Sequence, residues 1–400
     1  MRTSRTAPKG GSSYEQEPAH RVRRVLEGVI GVAATEGNQI ETLVNGDRIF
    51  PAMLDAIAEA RHTIDFLTFV YWEGEIGTGF ANELAARAAD GVRVRVLLDG
   101  WGAHPMDRAL IDTMESAGVA VRWFRPLARL KPGQLNHRTH RKVLVIDEAV
   151  AFTGGVGIAD EWKGDARNEH EWRDTHFRID GPAVDGLRAA FLADWAETDL
   201  DLFDDEIDRF PTQEQPGDAV VQCVRSAAGP GQSDVALLFR TLLQLASERL
   251  RITTAYFVPD EDLIQRLCAA ADRGVDVQIL LPGPYADKRF VQIASESTYS
   301  RLLECGIQIA SFQPSMLHAK VVTMDRILGT VGSANFNARS VSLDDEVNLV
   351  ILDRGVVDQL DEQFEADLER SVTMDAAQWC ARPLVQRVVE RAMAPIRPVS

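Results

Sequence analysis

The strongest constraint on the fold of this chain is an internal repeat. Three segments of the first half recur in the second half in the same order: Ile64–Tyr71 as Ile252–Pro259, Leu84–Gly100 as Leu267–Gly283, and Ser116–Arg122 as Glu304–Ala310. Chance does not account for three matches in one order. A repeated unit of this kind predicts two lobes of the same design.

Each half alternates between two kinds of periodicity. The apolar runs Val92–Leu98 and Val275–Leu281 are typical of buried strands, whereas the amphipathic stretches before them, Gly77–Asp90 and Asp260–Arg273, are typical of helices. Strands that alternate with helices predict an α/β sheet covered on both faces. We therefore expect two similar α/β lobes, each a mixed β-sheet flanked by helices, related by pseudo-two-fold symmetry.

Length and composition agree with two domains of ordinary size, because the chain has 400 residues, of which 45% are hydrophobic and 26% are charged. An acidic stretch that contains Pro211 and Pro216 has no clear period and suits a linker. We predict five segments: a flexible basic tail at 1–24, a first lobe at 25–200, a linker at 201–217, a second lobe at 218–372 and an amphipathic C-terminal segment at 373–400.

Two features bear on the compartment. No run approaches the ~20 apolar residues of a membrane-spanning helix, and the N-terminus lacks the apolar core of a signal peptide. The cysteines have no metal-site spacing, and we expect them to be small buried residues in a reducing compartment. They are Cys223, Cys268, Cys305 and Cys380. We therefore expect a cytoplasmic protein.

Charge and amphipathic patterning bear on the partners. The net charge of −17 counts against a nonspecific nucleic-acid binder, which needs many contacts from lysine and arginine to phosphates. The stretch Arg122–Lys142 contains no acidic residue, and it is either a solvated loop or a contact for anionic headgroups or a membrane. Pro383–Ile396 is amphipathic and is either a helix packed on the domain or an interfacial anchor.

The repeat carries a motif that can perform chemistry. Its members are His140, Lys142, Asp147 and Gly154-Gly155 in the first copy, and His318, Lys320, Asp325, Gly332-Ser333 and Asn335 in the second. A histidine can bond covalently to phosphorus, and a lysine two positions along a strand points the same way. A single histidine of this kind is more often a packed or surface residue, but the matched pairs predict one phosphoryl-transfer site built from both halves.

These motifs strongly resemble the phospholipase D superfamily, and the flanking residues resemble its bacterial cardiolipin synthase branch. The flanks are Trp172-Arg-Asp174 with Gly181-Pro182, Tyr256-Phe-Val-Pro259, Met316-Leu-His318, and Gly332–Ser340 with Glu346 beyond. The chain departs from the family pattern in carrying Gly157 and Asp344 where asparagine is usual. It also lacks the two membrane helices with which many members begin, and so is similar to a shorter form.

The resemblance, together with the chemistry of the side chains, implies a role for each candidate residue. The resemblance favours His140 as nucleophile and His318 as general acid, with Asp174 and Glu346 as the carboxylates that orient the histidines. Lys142 and Lys320 would hold the non-bridging phosphoryl oxygens, aided by Ser333, Asn335 and Gly155. Asp147 and Asp325 are expected to fix local structure. No metal and no other cofactor is expected.

The second step of such a reaction decides its name. Attack by a second phosphatidylglycerol on a phosphohistidine gives cardiolipin, whereas attack by water makes the protein a phospholipase D. We expect the metal-independent phosphatidyltransferase, with hydrolysis as the alternative and a nuclease of the superfamily as a weaker one. The expected partner is an anionic phospholipid, phosphatidylglycerol, met through peripheral contact with the cell membrane. The loops Trp101–Met106 and Leu127–Asn136 are candidates for the entrance, and no oligomer is required.

Overall fold

The protein is built around one mixed β-sheet to which both halves of the chain contribute. The computed structural model describes residues 18–126, 136–198, 210–227 and 233–382. The strands of the first half are β1 (Thr35–Val44), β2 (Thr63–Thr68), β3 (Arg93–Asp99), β4 (Ala120–Phe124), β5 (Val143–Ile146), β6 (Val150–Gly154) and β7 (Thr175–Asp180). Those of the second half are β8 (Ala219–Ser226), β9 (Arg249–Thr253), β10 (Asp276–Pro282), β11 (Gln308–Phe312), β12 (Val321–Met324), β13 (Leu328–Gly332), β14 (Glu346–Leu352) and β15 (Ser371–Thr373).

The strand order repeats between the halves. It runs β1-β7-β6-β5-β2-β3-β4 in the first half and β8-β14-β13-β12-β9-β10-β11 in the second, and β1 pairs with β8 where the halves meet. In each half three strands are parallel, β2-β3-β4 and β9-β10-β11, and the others are antiparallel. The predicted class, two similar α/β lobes with mixed strands flanked by helices, is confirmed.

The strand register corrects one part of the repeat. β2 pairs with β5 so that Leu67 lies opposite the residue after the first repeated lysine, and β9 pairs with β12 so that Thr253 lies opposite the corresponding residue of the second copy. Ile64 therefore corresponds to Leu250, and the predicted match of Ile64 with Ile252 is wrong by two residues. A shift of two leaves every side chain on the same face of the strand, so an apolar pattern cannot detect it.

Helices cover both faces of the sheet. They are α1 (Pro18–Ile30), α2 (Gly46–Glu59), α3 (Glu75–Ala89), α4 (Arg108–Ser116), α5 (Val184–Trp195), α6 (Asp234–Leu245), α7 (Glu261–Asp272), α8 (Arg289–Glu304), α9 (Ala338–Ser342), α10 (Arg354–Glu369) and α11 (Ala376–Cys380). Several begin at a side chain that accepts a hydrogen bond from the first turn, as Asp107 does for α4 and Asp260 for α7. None of the helices in the described segments is long and apolar enough to cross a bilayer.

Helix α1 corrects the predicted N-terminal boundaries. Its buried residues Val22, Leu26 and Ile30 recur every fourth position and join the apolar core of the second lobe, next to α6. The predicted flexible tail is therefore wrong for residues 18–24, and residues 25–30 pack on the second lobe. The many basic residues of this segment hid its apolar stripe. The remaining predicted boundaries stay predictions, and the amphipathic stretch at 383–396 lies outside the described residues.

The cysteines also differ from expectation. Cys268 of α7 and Cys305 just after α8 form a disulfide with 5.4 Å between their Cα atoms, whereas Cys223 is free and buried. The expectation of cysteines in a reducing compartment, where thiols stay unpaired, therefore does not fit these two residues. The two residues are 37 positions apart in the sequence, so their spacing alone does not reveal the contact. Disulfides persist mainly in oxidising compartments, so the cysteines do not indicate a reducing compartment.

The fold sets both copies of the repeated motif at one kind of edge. Each His-Lys pair directly precedes β5 or β12, and these strands run antiparallel to β2 and β9. Both pairs therefore lie at the carboxyl ends of the parallel strands, where α/β proteins commonly bind ligands.

A shared apolar cluster joins the two lobes. It includes Phe177 and Phe191 of the first half and Val331 and Val347 of the second.

Candidate active site

The two histidine motifs are each attached to a segment of the opposite lobe. The backbone nitrogen of His140 donates to the carbonyl of Asp345 at 2.9 Å, and the backbone nitrogen of His318 donates to the carbonyl of Arg173 at 2.7 Å. In each case the next residue of the accepting segment is the candidate orienting acid, Glu346 or Asp174. The carboxylates are thereby exchanged between the lobes.

The first histidine contacts the acid of the second lobe. Nδ1 of His140 lies 3.1 and 3.2 Å from the two carboxylate oxygens of Glu346, which is fully buried. The hydroxyl of Ser333 donates to the same carboxylate, and it also accepts from the backbone nitrogen of Val347 at 3.0 Å. A carboxylate on Nδ1 favours the tautomer with its proton there, which leaves the lone pair of Nε2 free for chemistry.

The second histidine contacts the acid of the first lobe. Nδ1 of His318 lies 2.8 Å from Oδ2 of Asp174, which also accepts from Nε1 of Trp162 at 2.8 Å. The other carboxylate oxygen accepts from the backbone nitrogen of Thr175 at 2.8 Å. Asp174 is fully buried and both of its carboxylate oxygens accept hydrogen bonds, so His318 is held with Nε2 away from the acid.

Burial and charge set the protonation of these groups. Burial lowers the pKa of His140 to about 4, with Lys142 adding to the effect and Glu346 opposing it. Burial and Lys320 lower the pKa of His318 to about 3 against the opposing effect of Asp174. Burial would raise the pKa of Asp174, but its contacts with His318 outweigh this and lower it to about 2. Both imidazoles are therefore neutral near pH 7 beside ionised carboxylates.

The two lysines lie directly against the histidine backbones. Nζ of Lys142 donates to the carbonyl of His140 at 2.7 Å, and Nζ of Lys320 donates to the carbonyl of His318. Burial lowers the pKa of Lys142 to about 8 and that of Lys320 to about 7. Lys142 also lowers the pKa of His318, and Lys320 that of His140, so the charges of both lobes act on one site.

Aromatic rings line the histidines, and none of them is among the site residues predicted from the sequence. The ring of Phe69 lies 5.2 Å from that of His140, measured between centroids. Around His318 the corresponding distances are 5.1 Å for Trp162, 5.5 Å for Trp172 and 6.1 Å for Tyr256. Phe69 and Tyr256 follow the ends of β2 and β9. In the sequence, their signal is an aromatic residue shortly after the strand that pairs with each His-Lys strand. This signal could have identified Phe69 and Tyr256.

The aspartates of the repeated motif contact backbone and not the histidines. The carboxylate of Asp147 accepts from the backbone nitrogens of residues 61, 62 and 63, and that of Asp325 accepts from those of residues 247, 248 and 249. Both carboxylates thus fix the entry of the chain into β2 or β9. This is the arrangement expected of residues that maintain local structure.

The positions after the motif differ between the lobes. A Cβ at Gly155 would lie 2.2 Å from Oδ1 of Asp174, whereas Ser333 at the matching position contacts Glu346. A Cβ at Gly157 would lie 2.6 Å from that of Val70, so the asparagine usual in the family does not fit here without a shift. At the matching position Oδ1 of Asn335 accepts from a backbone nitrogen at 3.3 Å. The predicted substrate contacts of Gly155, Ser333 and Asn335 stay predictions.

Most described arginines of the basic stretch are already neutralised by acids from elsewhere. Arg138 forms a buried ion pair with Asp99, and Arg141 forms another with Asp194 at 2.6 Å. Arg125 pairs with Glu197. The stretch is therefore not a free basic surface over these residues, and its central part, residues 127–135, lies outside the described segments. Over the described segments, no group of three or more His, Cys, Asp or Glu side chains is arranged to hold a metal ion.

Asp344, the other departure from the family pattern, lies next to this site. It is buried and accepts from Nε of Arg339 at 3.0 Å. Burial raises the pKa of its carboxyl to about 7 although Arg339 opposes the shift. The position therefore carries less negative charge near neutral pH than an exposed aspartate would.

Comparison with known proteins agrees with this arrangement. A family model described as "Cardiolipin synthase, PLD-like domain" matches residues 53–175 and again residues 239–368. Cardiolipin synthase 1 of Bacillus cereus is 32% identical over 394 residues, which cover 96% of this chain and 77% of that protein. Cardiolipin synthase of Geobacillus thermodenitrificans is 35% identical over 391 residues, 96% of this chain and 76% of that protein. Phosphatidylserine synthase of Haemophilus influenzae has a similar fold, with a TM-score of 0.72 at 14% identity over 95% of this chain and 100% of that one.

The doubled lobe and the paired His-Lys motifs define an enzyme of the phospholipase D type. Within that superfamily the chain belongs to the cardiolipin synthase family. It is a phosphatidyltransferase, and its substrates are therefore phospholipids. The fold class, the family and the enzyme class expected from the sequence are confirmed.

Proposed function

We propose that this protein transfers a phosphatidyl group from one phosphatidylglycerol to the hydroxyl of another, with release of glycerol, through a phosphohistidine. The observation that carries the proposal is the exchange of carboxylates between lobes, which places a carboxylate at Nδ1 of each of the two buried histidines. We infer the class of lipid substrate from the relatives of this chain, which are named cardiolipin synthases.

In the first step Nε2 of His140 attacks the phosphorus, and the bond from phosphorus to the departing glycerol oxygen breaks. Nε2 of His318 gives its proton to that oxygen. The bound phosphodiester is anionic, so it raises the pKa of the neighbouring imidazole, and Asp174 stabilises the resulting imidazolium. The assignment of His140 as nucleophile follows the family resemblance.

In the second step the glycerol hydroxyl of another phosphatidylglycerol attacks the phosphohistidine. Its proton passes to His318, the bond between phosphorus and nitrogen breaks, and His140 is regenerated. Lys142 and Lys320 stabilise the charge on the non-bridging oxygens in both steps, which removes the need for a metal ion. Water competes for the same intermediate, so the aromatic walls would favour the lipid hydroxyl by position and by excluding water.

Peripheral contact with the cell membrane is part of this proposal, because both substrates reside in a bilayer. The side of the membrane stays a prediction from the sequence. The Cys268–Cys305 disulfide counts against the cytoplasmic side.

The proposal is tested with purified protein, vesicles of labelled phosphatidylglycerol and a chelator. We expect equal amounts of glycerol and cardiolipin. Phosphatidic acid as the main product would identify a hydrolase instead. No lipid turnover together with cleavage of DNA or RNA would overturn the lipid assignment. After denaturation at alkaline pH, where the phosphorus–nitrogen bond survives, His318→Ala should retain labelled phosphohistidine while His140→Ala should not, and the reverse result would exchange the two roles.

A further inference from the structure

Three of the four exposed aromatic side chains in the described segments follow corresponding strands of the two lobes. Among the described residues six large hydrophobic side chains are exposed. Three of them are aromatic residues that follow strands β3 and β10: Trp101 (60% exposed) and Tyr285 (41%) lie on loops, and Phe290 (48%) lies in the first turn of α8. Isolated exposed hydrophobic residues need no explanation, but a group on related loops suggests an interaction surface.

The two loops occupy matching positions in the two lobes. Gly100 follows β3 and Gly283 follows β10, and at each a Cβ would meet a carbonyl oxygen of the adjacent strand segment, at 2.7 Å and 2.2 Å respectively. Trp101 comes one residue after the first glycine and Tyr285 two residues after the second. The aromatic residues therefore lie at the carboxyl ends of parallel strands, the same edge that carries the histidines.

The first loop is attached to the wall of the site. The carboxylate of Asp99 accepts from the backbone nitrogens of Trp101 and Gly102 at 2.8 and 3.0 Å. Gly102 is packed so closely on Phe69 that a Cβ would lie 2.3 Å from its carbonyl oxygen, and the Phe69 ring contacts His140. Gly102 alone therefore separates Trp101 from Phe69, whose ring contacts His140.

The second loop is attached in a similar way. The hydroxyl of Tyr256 donates to Oδ2 of Asp287 at 2.7 Å, and Nζ of Lys288 lies 4.8 Å from the centre of the Tyr256 ring. Tyr256 in turn contacts His318. The exposed Tyr285 and Phe290 flank this short connection on either side.

We propose that Trp101, Tyr285 and Phe290, together with Lys288, dock the mouth of the active site on an anionic phospholipid bilayer. Amphipathic aromatic rings favour the depth of the headgroups, where an apolar ring and a polar edge are both accommodated. This inference rests on the proposed function, because a site that takes both substrates from a bilayer must face it.

The local charge near these aromatic residues suits an anionic surface better than the net charge of the whole chain does. The net charge of −17 repels such a surface. Lys288 is exposed and forms no ion pair with any carboxylate of the described segments, so its charge is available to lipid phosphates. Arg289 is partly used by Gln292 and Glu296. Of the nearby acids, Asp287 accepts from Tyr256 and Asp107 caps α4.

The test is flotation with vesicles of phosphatidylglycerol and phosphatidylcholine, measured without turnover. We expect the triple variant Trp101→Ser, Tyr285→Ser, Phe290→Ser to partition into vesicles about tenfold less than the wild type. The matched control, Val29→Ser with Val372→Ser, removes exposed hydrophobic side chains elsewhere and should bind within about twofold of wild type. Lys288→Glu should weaken binding to anionic vesicles and leave binding to pure phosphatidylcholine unchanged. Circular dichroism checks that each variant is folded.

A second measurement does not depend on the triple variant. Brominated acyl chains should quench part of the wild-type tryptophan fluorescence, and Trp101→Phe should remove most of that quenching. Wild-type binding by the triple variant, an equal loss in the control, or a changed oligomeric state with unchanged vesicle binding would overturn the inference. If the wild type makes cardiolipin while the triple variant binds normally, only the docking surface is wrong. If the surface variants lose binding but no cardiolipin forms, only the proposed function is wrong.

Discussion

His318 and Asp174 come from opposite halves of the chain, yet Nδ1 of the histidine lies 2.8 Å from a carboxylate oxygen of the aspartate. The reciprocal pair, His140 and Glu346, is built in the same way. Each lobe therefore supplies a histidine for the site and the acid that contacts Nδ1 of the histidine of the other lobe. Separation of the lobes would leave both histidines without their acids.

The orienting acids give the first prediction. Asp174→Asn and Glu346→Gln keep the shape of each side chain but favour the wrong tautomer of the partner histidine, so we expect kcat to fall by roughly 10²–10⁴-fold. Initial rates with phosphatidylglycerol measure this. Asp180→Asn, a change at the far end of the strand that follows Asp174, affects a half-buried pair with Arg178 and should keep kcat within about twofold. A near-normal rate in either site variant would refute the proposed orienting role.

The sequence predicts which residues belong to this site better than it predicts which of them contact each other. A doubled motif with fixed spacing is local information, and it identified both His-Lys pairs. Asp174 is 144 residues from His318, and nothing in the spacing states that it crosses to the other lobe. The same limit applies to α1, whose apolar stripe is visible in the sequence although the lobe it covers is not, and to the register of β2, where a shift of two preserves every face.

Gly155 gives a second prediction, because no side chain fits between it and the orienting acid. Gly155→Ala would place a Cβ 2.2 Å from Oδ1 of Asp174 and displace the carboxylate from His318. A shift of about 1 Å at such a site can lower the rate roughly 10²-fold, and we expect a loss of this size in kcat. The control is Gly79→Ala on α3, where a Cβ meets no atom within 4 Å. That helix should become slightly more stable, and kcat should not change. Equal rates for both variants would show that the Asp174 contact is not sensitive to packing.

Gly157 gives a third prediction about the departure from the family pattern. Gly157→Asn alone forces a side chain against Val70, and overpacking of this kind costs about 1–3 kcal/mol in the free energy of unfolding. Adding Val70→Ala opens the space, so the double variant should be more stable than the sum of the two single changes predicts. Urea unfolding of the four proteins of this cycle measures the coupling. Strict additivity would mean that Val70 is not what excludes the asparagine.

The lysines give a prediction about pH. Burial lowers the pKa of Lys320 to about 7 and that of Lys142 to about 8, and a lysine with a lowered pKa loses its positive charge as pH rises through that value. Because we propose that the charged forms hold the phosphoryl oxygens, kcat/KM should fall as the pH rises above about 7. His140, the proposed nucleophile, has its pKa lowered to about 4, so its neutral form is retained well below pH 6. Lys320→Arg keeps its charge at every pH used, and it should lower the rate but move the alkaline limb upward, toward the pKa of Lys142.

The control for this variant is Lys163→Arg, an exposed change that should leave the pH profile of kcat/KM as it is. The measurement is the initial rate in mixed micelles as a function of pH. If the alkaline fall in kcat/KM stays at the same pH in Lys320→Arg, a group other than Lys320 causes it.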